Sequence, residues 1–327
     1  MTTTLKPDFR VRIAGRDVPV SGSNPLVRVL VEMDMNQPAA AALTFGGEPE
    51  APLKLGDALE IDLGWTGDVR RVFTGAVFGL EPTHPGIAIR AFGDEAKLLH
   101  GGRVSQAFEN RTFGEIVKAH AREAGVGTGS IEDGPRVPHA YRHHQTRWDH
   151  CKGLAARAGF DLYATEKGKL NFARFARRAG DHVLRMGQDL LGLTVRFEQP
   201  LPGATVVPES PASSAGDDTA AWLVKDPAPH SATEGEEGVL VVSEALLRTR
   251  DAAKLAARAI VEASKRVTMR GDLKLVGRAD IGLGQAIELK DIPRADVDGL
   301  YAVRSVHHVL GGNAGFFTLM GIARVPT

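Results

Sequence analysis

Apolar and polar residues alternate with a period of two through most of the first hundred positions. Phe9, Val11 and Ile13 are spaced by Arg10 and Arg12. Val27, Val29, Val31, Met33 and Met35 are spaced by Arg28, Leu30, Glu32 and Asp34. Leu59, Ile61, Leu63 and Trp65 run into a Thr66-Gly67-Asp68 turn, and Arg71 to Leu80 returns. Thr83-His84-Pro85-Gly86 makes another turn before Ile87, Ile89 and Ala91. Successive side chains of a strand point to opposite faces, so this spacing predicts half-buried strands. Five or six such strands between Gly- and Pro-marked turns predict a small antiparallel barrel or sandwich.

The period then changes. Thr112-Phe113-Gly114-Glu115 has the form of a capping box, in which the Thr hydroxyl and the Glu carboxylate each reach the other's backbone N–H. Phe113, Ile116, Val117, His120, Ala121 and Ala124 follow at helical spacing, and Gly125 suits a left-handed helix end. The same unit recurs at Thr146, with Asp149 at its third helical position. Its apolar stripe is Trp148, Cys151, Leu154, Ala155 and Ala158, and its terminator is Gly159. Phe160 to Ala164 and Leu170 to Ala173, joined through Glu166-Lys167-Gly168-Lys169, predict a hairpin. Strand alternation resumes at Leu193, Val195 and Phe197. Residues 200–238 have loop composition, with a short strand expected at Ala221-Trp222-Leu223-Val224. An Ala-rich helix is expected over residues 244–265, and Val267 to Ala323 reads as strands again.

One short pattern occurs twice. Leu55-Gly56-Asp57-Ala58-Leu59-Glu60-Ile61 is echoed by Leu283-Gly284-Gln285-Ala286-Ile287-Glu288-Leu289. Gly75-Ala76-Val77 and Tyr301-Ala302-Val303 then follow in corresponding places. Two readings stand at this point: coincidence between two short strands, or two related β units in one chain.

The combination of a β unit with Thr146-Arg147-Trp148-Asp149-His150-Cys151-Lys152-Gly153-Leu154-Ala155-Ala156-Arg157-Ala158-Gly159-Phe160-Asp161-Leu162-Tyr163 resembles the phage late control gene D family. These are the baseplate hubs of contractile tails. The hub module of type VI VgrG spike proteins and of extracellular contractile injection systems is similar. The later part fits the same pattern: an Ala-rich helix (Ala252 to Ala263), Gly271-Asp272-Leu273, the Leu-Gly turn, and the Gly299 to His308 strand. The resemblance covers nearly the whole chain. It implies a β-rich α+β fold with two related tube-protein-like β-barrels, at residues 1–104 and 186–327, and an α/β insert at residues 105–185. It also implies a homotrimer whose six barrels form a pseudo-hexameric adaptor between a six-fold inner tube and a three-fold spike. The implied partners are the tube or tube-initiator protein, the spike and other baseplate components. The sequence ends at Arg324-Val325-Pro326-Thr327 without the spike that VgrG proteins carry, so the spike is expected on a separate polypeptide.

Composition changes this picture little. Lys+Arg and Asp+Glu are 40 each in 327 residues, and 43% of residues are hydrophobic. Balanced charge argues against specific nucleic-acid binding as the main task. A single cysteine, Cys151, excludes an internal disulfide. Met1 to Pro7 has no apolar signal core, and no run approaches the roughly 18 apolar residues of a membrane span. Assembly in the cytoplasm into a phage tail or injection particle, without a membrane anchor, is therefore expected.

Candidate chemistry is sparse. His139, His143, His144, His150 and Cys151 could suggest a zinc site, and with it a metal-dependent hydrolase. His150 and Cys151 diverge by about 100° on a helix, however, and Cys151 falls on the apolar stripe. His307 and His308 point to opposite faces of a strand. Asp217-Asp218 sits in a loop, and Gly125-Val126-Gly127-Thr128-Gly129 follows a helix where a phosphate cradle would precede one. No catalytic, metal or cofactor site is expected, and a structural role is. Trp65 and Trp222, at strand ends or in loops, are core or rim residues or else candidates for a subunit or partner interface. A monomeric β-rich ligand-binding module is the remaining alternative.

Overall fold

The computed structural model describes residues 6–18, 25–47, 52–84, 86–100, 105–175, 180–207, 231–244, 246–247, 249–266, 268–312 and 315–325. The first half contains β1 (Pro7–Ile13), β2 (Arg16–Asp17), β3 (Leu26–Asp34), β4 (Ala40–Phe45), β5 (Ala58–Trp65), β6 (Asp68–Pro82) and β7 (Ile87–Gly93). A 3-10 turn, Asp94–Leu99, leads to the insert: β8 (Gln106–Thr112), α1 (Phe113–Ala124), β9 (Thr128–Ile131), β10 (Arg136–Arg142), α2 (Arg147–Ala158), β11 (Asp161–Ala164) and β12 (Leu170–Ala173). The remainder is β13 (His182–Arg185), β14 (Leu190–Phe197), β15 (Gly203–Val207), β16 (Ala232–Gly235), β17 (Val241–Ser243), α3 (Arg250–Arg266), β18 (Met269–Val276), β19 (Ala286–Lys290), β20 (Gly299–Gly311) and β21 (Gly315–Arg324). The expected β-rich α+β class is the class observed. No helix among the described residues is long and apolar enough to cross a membrane.

The repeat extends through whole sheets. The first half pairs in the order β3-β4-β7-β6-β5-β1, and the second in the order β14-β18-β21-β20-β19-β13. Both sets also follow the same order along the chain. Registers agree residue by residue. Ala58 faces Ala76, and Ala286 faces Ala302. The ladders of β6 with β7 and of β20 with β21 slip at matching places, after Val77 and after Val303. Those of β3 with β4 and of β14 with β18 slip after Leu26 and after Leu190. The Leu-Gly turns make matching hydrogen bonds: Gly56 N–H donates to Val77 O and Val77 N–H to Asp57 O, while Gly284 N–H donates to Val303 O and Val303 N–H to Gln285 O. One position differs, since β1 runs antiparallel to β5 whereas β13 runs parallel to β19.

Neither half closes on itself among the described residues. They join edge to edge, with β3 antiparallel to the second part of β20, from Ser305–Asp34 to Gly311–Arg28. The result is one 13-stranded sheet over a single apolar core that takes Leu59, Ile61 and Phe73 from one half and Ile287, Tyr301 and Met320 from the other.

A second core groups the chain differently from the linear boundaries drawn at 105 and 186. Phe113, Ile116 and Val117 of α1, and Cys151 and Leu154 of α2, pack with Val206, Ala232, Ala253 and Ala256. So β15, β16 and α3, expected within the second barrel unit and its loop, belong by packing with the insert. They occupy the β14–β18 connection, whose counterpart is the short β3–β4 turn. The helix expected over 244–265 is observed over Arg250–Arg266, and residues 203–207 and 232–235 of the expected loop are strands. Local signals decide the two shorter helices. Thr112 and Glu115 form the complete capping box, Thr146 Oγ1 accepts from Asp149 N–H, and Gly125 and Gly159 adopt the left-handed conformation.

Gly56 (φ +87°) and Gly284 (φ +74°) occupy equivalent turns, but a Cβ at Gly56 would meet nothing within 4 Å, whereas one at Gly284 would lie 2.3 Å from the Tyr163 hydroxyl. Gly56→Ala is expected to cost about 1 kcal/mol from backbone strain alone. Gly284→Ala should cost at least twice as much, which chemical denaturation of the two variants measures.

Candidate functional site

The histidine-rich segment divides when folded. His139 is half-buried on β10, opposite Glu109 of β8. His143 and His144 occupy a turn, their rings 4.1 Å apart, with His143 stacked on Tyr141. His150 points the other way, into the second core, where its Nδ1 stands 2.9 Å from His120 Nε2 and the Phe108 ring covers both imidazoles. Cys151 is fully buried. Among the described residues no three His, Cys, Asp or Glu side chains converge as metal ligands. Ser105 Oγ lies 3.3 Å from His143 Nδ1 on an exposed surface. That is longer than the 2.6–3.2 Å typical of a nucleophile and its base.

Burial sets the electrostatics of this region. It lowers His120 to about 3, helped by the neighbouring His150, and His150 to about 4, helped by Arg157 and Arg142. The Cys151 thiol is pushed up to about 12, so it is unreactive. The guanidinium of Arg142 is itself buried and donates to Gln145 O at 3.1 Å. His120, His150 and Cys151 are thus held neutral in this core, beside the buried guanidinium of Arg142, whose pKa burial lowers from its ordinary value.

The other histidine pair lies at the seam between the halves. His307 Nε2 is 3.1 Å from Asp34 Oδ2, and this carboxylate raises its pKa. His308, on the opposite face, is fully buried, bonded through Nδ1 to Thr318 Oγ1 at 3.0 Å, and lowered to about 4. Trp65, at the end of β5, also links the two halves. Its indole N–H donates to Gly277 O at 3.0 Å, and its ring lies 5.6 Å from that of Phe316. Trp222, Asp217 and Asp218 lie outside the described residues. A cleft of about 320 Å³ holds Arg174, Lys265, Arg266, Arg304 and Arg324. Its charges are met in part by Asp161, 2.7 Å from Arg304, and by Asp296 O, 2.6 Å from Arg324.

Sheet edges are the feature that sequence reasoning missed. Among the described residues no strand pairs with the outer edge of β14, nor with the outer edge of Gly79–Pro82 in β6, beyond the start of β5. Large apolar side chains are exposed at both: Leu191 and Phe197 on β14, Phe78 on β6. An unpaired edge is a template for another strand. The signal available in the sequence was the repeat itself, which needed extension from the Leu-Gly turns to whole sheets.

Neither a scan against protein-family models nor a search of curated proteins finds a match. Solved structures do match over nearly the full chain. The 43 kDa tail protein of prophage MuSo2 from Shewanella oneidensis superposes with a TM-score of 0.73 at 16% identity, covering 98% of both chains. A tail protein from Neisseria meningitidis gives 0.73 at 11% identity, covering 98% of this chain and 97% of that one. The chain has the tail-protein fold. An E. coli component of the type VI secretion system, described as structurally similar to the T4 tail proteins gp27 and gp5, gives 0.64 at 11% identity over 97% of this chain and 77% of that one. The tail-protein likeness carried by Thr146 to Tyr163 and Gly299 to His308 thus extends over nearly the full length of the chain.

Acid sensitivity follows from the buried histidines. Above pH 6.5, His120, His150 and His308 are neutral both folded and unfolded. As pH falls from 6.5 towards 4, the unfolded chain takes up protons that the folded chain refuses. Stability should then decline by up to about 1.4 kcal/mol per pH unit for each histidine. Melting temperatures between pH 7 and 4 are expected to fall steeply, and less steeply in His150→Gln.

Proposed function

We propose that this chain is a structural, non-enzymatic hub of a contractile tail or injection machine. In this reading three copies form a ring of six related β halves, which seats a six-fold inner tube on one side and a three-fold spike on the other. The observation that carries it is the duplication: two six-stranded sets with the same strand order, the same register slips and the same turn hydrogen bonds. A three-fold object that must meet a six-fold one needs two equivalent seats per subunit, and closed symmetry repeats each contact around the ring. The tail-protein fold of the similar structures supports the same reading. The partners are the tube or tube-initiator protein, the spike and the surrounding baseplate components, and assembly takes place in the cytoplasm before the particle is complete. The alternative hydrolase has no assembled histidine site among the described residues to support it.

Native mass spectrometry of the chain, alone and mixed with the tube and spike proteins of its source, tests the proposal. A trimer is expected in at least the mixed sample. A chain that stays strictly monomeric with both partners present overturns it.

A further inference from the structure

The cationic cleft on the second half lies where the repeat changes chemical character. The ladders of β6 with β7 and of β20 with β21 correspond residue by residue. Ala302 faces Ala323 as Ala76 faces Phe92, and Tyr301 faces Arg324 as Gly75 faces Gly93. The shared slip leaves one residue without a partner in each ladder: Arg304 in β20 and Phe78 in β6. An extra residue of this kind bends its strand and re-aims its own side chain. In the first half the place is apolar, and Phe78 packs on Phe92 with ring centroids 5.1 Å apart. In the second half Arg304 and Arg324 line the cleft beside Ala302 and Ala323. The sheet is thus built without cations at these positions in one half, and the other half adds them.

Two further segments bring more positive charge. Lys265 and Arg266 end α3, and Arg174 follows β12. The carboxylates nearby do not balance them. Asp161 lies 2.7 Å from Arg304 and 4.0 Å from Arg266. Arg304 Nη1 is buried and makes no aligned hydrogen bond, to that carboxylate or to another acceptor among the described residues. Glu262 is bonded to Arg258 at 2.7 Å, and Arg324 directs its donors at the carbonyls of Asp296 and Asp298. Arg174 rests 5.8 Å from the centre of the Phe160 ring, and neither it nor Lys265 has a carboxylate partner among the described residues. The C-terminal end of α3 offsets only about half a charge. Cations gathered in this way repel one another, and an anion among them removes the repulsion.

We propose that this cleft binds a free polyvalent phosphate of the size of inorganic pyrophosphate, held by Arg304 and Arg324 from the sheet and by Arg174, Lys265 and Arg266 around it. Four of the five cations are arginines. A guanidinium presents paired N–H donors that match two oxygens of one phosphate. The volume of about 320 Å³ admits such an anion with part of its water. The cations converge on one hollow and do not form a track. That arrangement suits one compact, multiply charged anion better than a polymer with one charge per phosphate. All five cations come from one chain, so the site is independent of the ring reading.

Isothermal titration calorimetry of the full chain with inorganic pyrophosphate, in salt of about 0.15 M, tests the site. A single pyrophosphate per chain is expected to bind. Arg174→Gln combined with Lys265→Gln changes two exposed side chains and should keep the melting temperature of the free chain. Affinity should fall at least tenfold in that variant. Arg122→Gln combined with Lys152→Gln removes the same charge from exposed positions on α1 and α2, outside the cleft, and should leave binding unchanged. Equal weakening in the two double variants, or no heat of binding in the wild type, overturns the site. A short oligothymidylate should bind at least tenfold more weakly than pyrophosphate. Tighter binding of the oligonucleotide overturns the assignment to a free phosphate. Each of these results leaves the ring reading as it stands.

Discussion

The hydrogen-bonding demand of strand edges constrains the rest of this structure. A six-stranded set that does not close leaves a row of unpaired N–H and C=O groups, and these need partners wherever water is excluded. Here the edge of β3 meets the second part of β20, and the joint makes two open sets into one sheet with one core. Val29, Val31 and Met33 become buried beside Val306 and Leu310. Each such side chain contributes about 1.5–3 kcal/mol when fully buried. Directional contacts then fix the joint, the imidazole of His307 on Asp34 and the N–H of Met35 on Arg304 O, while the Trp65 indole on Gly277 O links the halves a second time.

The second core depends on the same joint. It collects segments from three separate parts of the chain, and the sheet brings their roots together. Asn36, just beyond β3, donates its backbone N–H to Leu162 O, and its side-chain oxygen accepts from Leu162 N–H at 3.3 Å. Arg266 at the end of α3 reaches Gly159 O at the end of α2, and Arg157 pairs with Glu244 at 2.7 Å. The Thr74 hydroxyl donates to Glu166 O, tying β6 to the turn between β11 and β12. Arg304 of β20 pairs with Asp161 of β11 at 2.7 Å, so the insert is held to both halves of the sheet.

Much of the secondary structure was legible because its causes are local. The strands with clean alternation, the caps at Thr112 and Thr146 and the terminators Gly125 and Gly159 depend on residues within a few positions of one another. β4 was not legible. Ala39-Ala40-Ala41-Ala42-Leu43 shows no alternation of residue type, and its strand state comes from pairing on both sides, with β3 and β7. β15 and β16 were hidden in a Gly- and Pro-rich stretch, because their ladder partners and the face of α3 that covers them lie far along the chain. The resemblance was readable from residue order, and the repeat from two seven-residue echoes. The candidate site was largely not readable. The Trp65 partner is 212 positions away, the partner of His150 is on another helix, and whether an edge is unpaired is a property of sheet order.

The two halves are equivalent in order and register but not in decoration. Where β3 turns directly into β4, the matching place between β14 and β18 carries a long excursion with three strands and α3. A closed ring built from such chains would bear that excursion at every second position. Seen along its axis, the sheet wall would repeat six times per revolution, while the added mass would repeat three times, like a cog whose alternate teeth are tall. Both periodicities would then be encoded in a single polypeptide, with no separate part needed to convert one into the other.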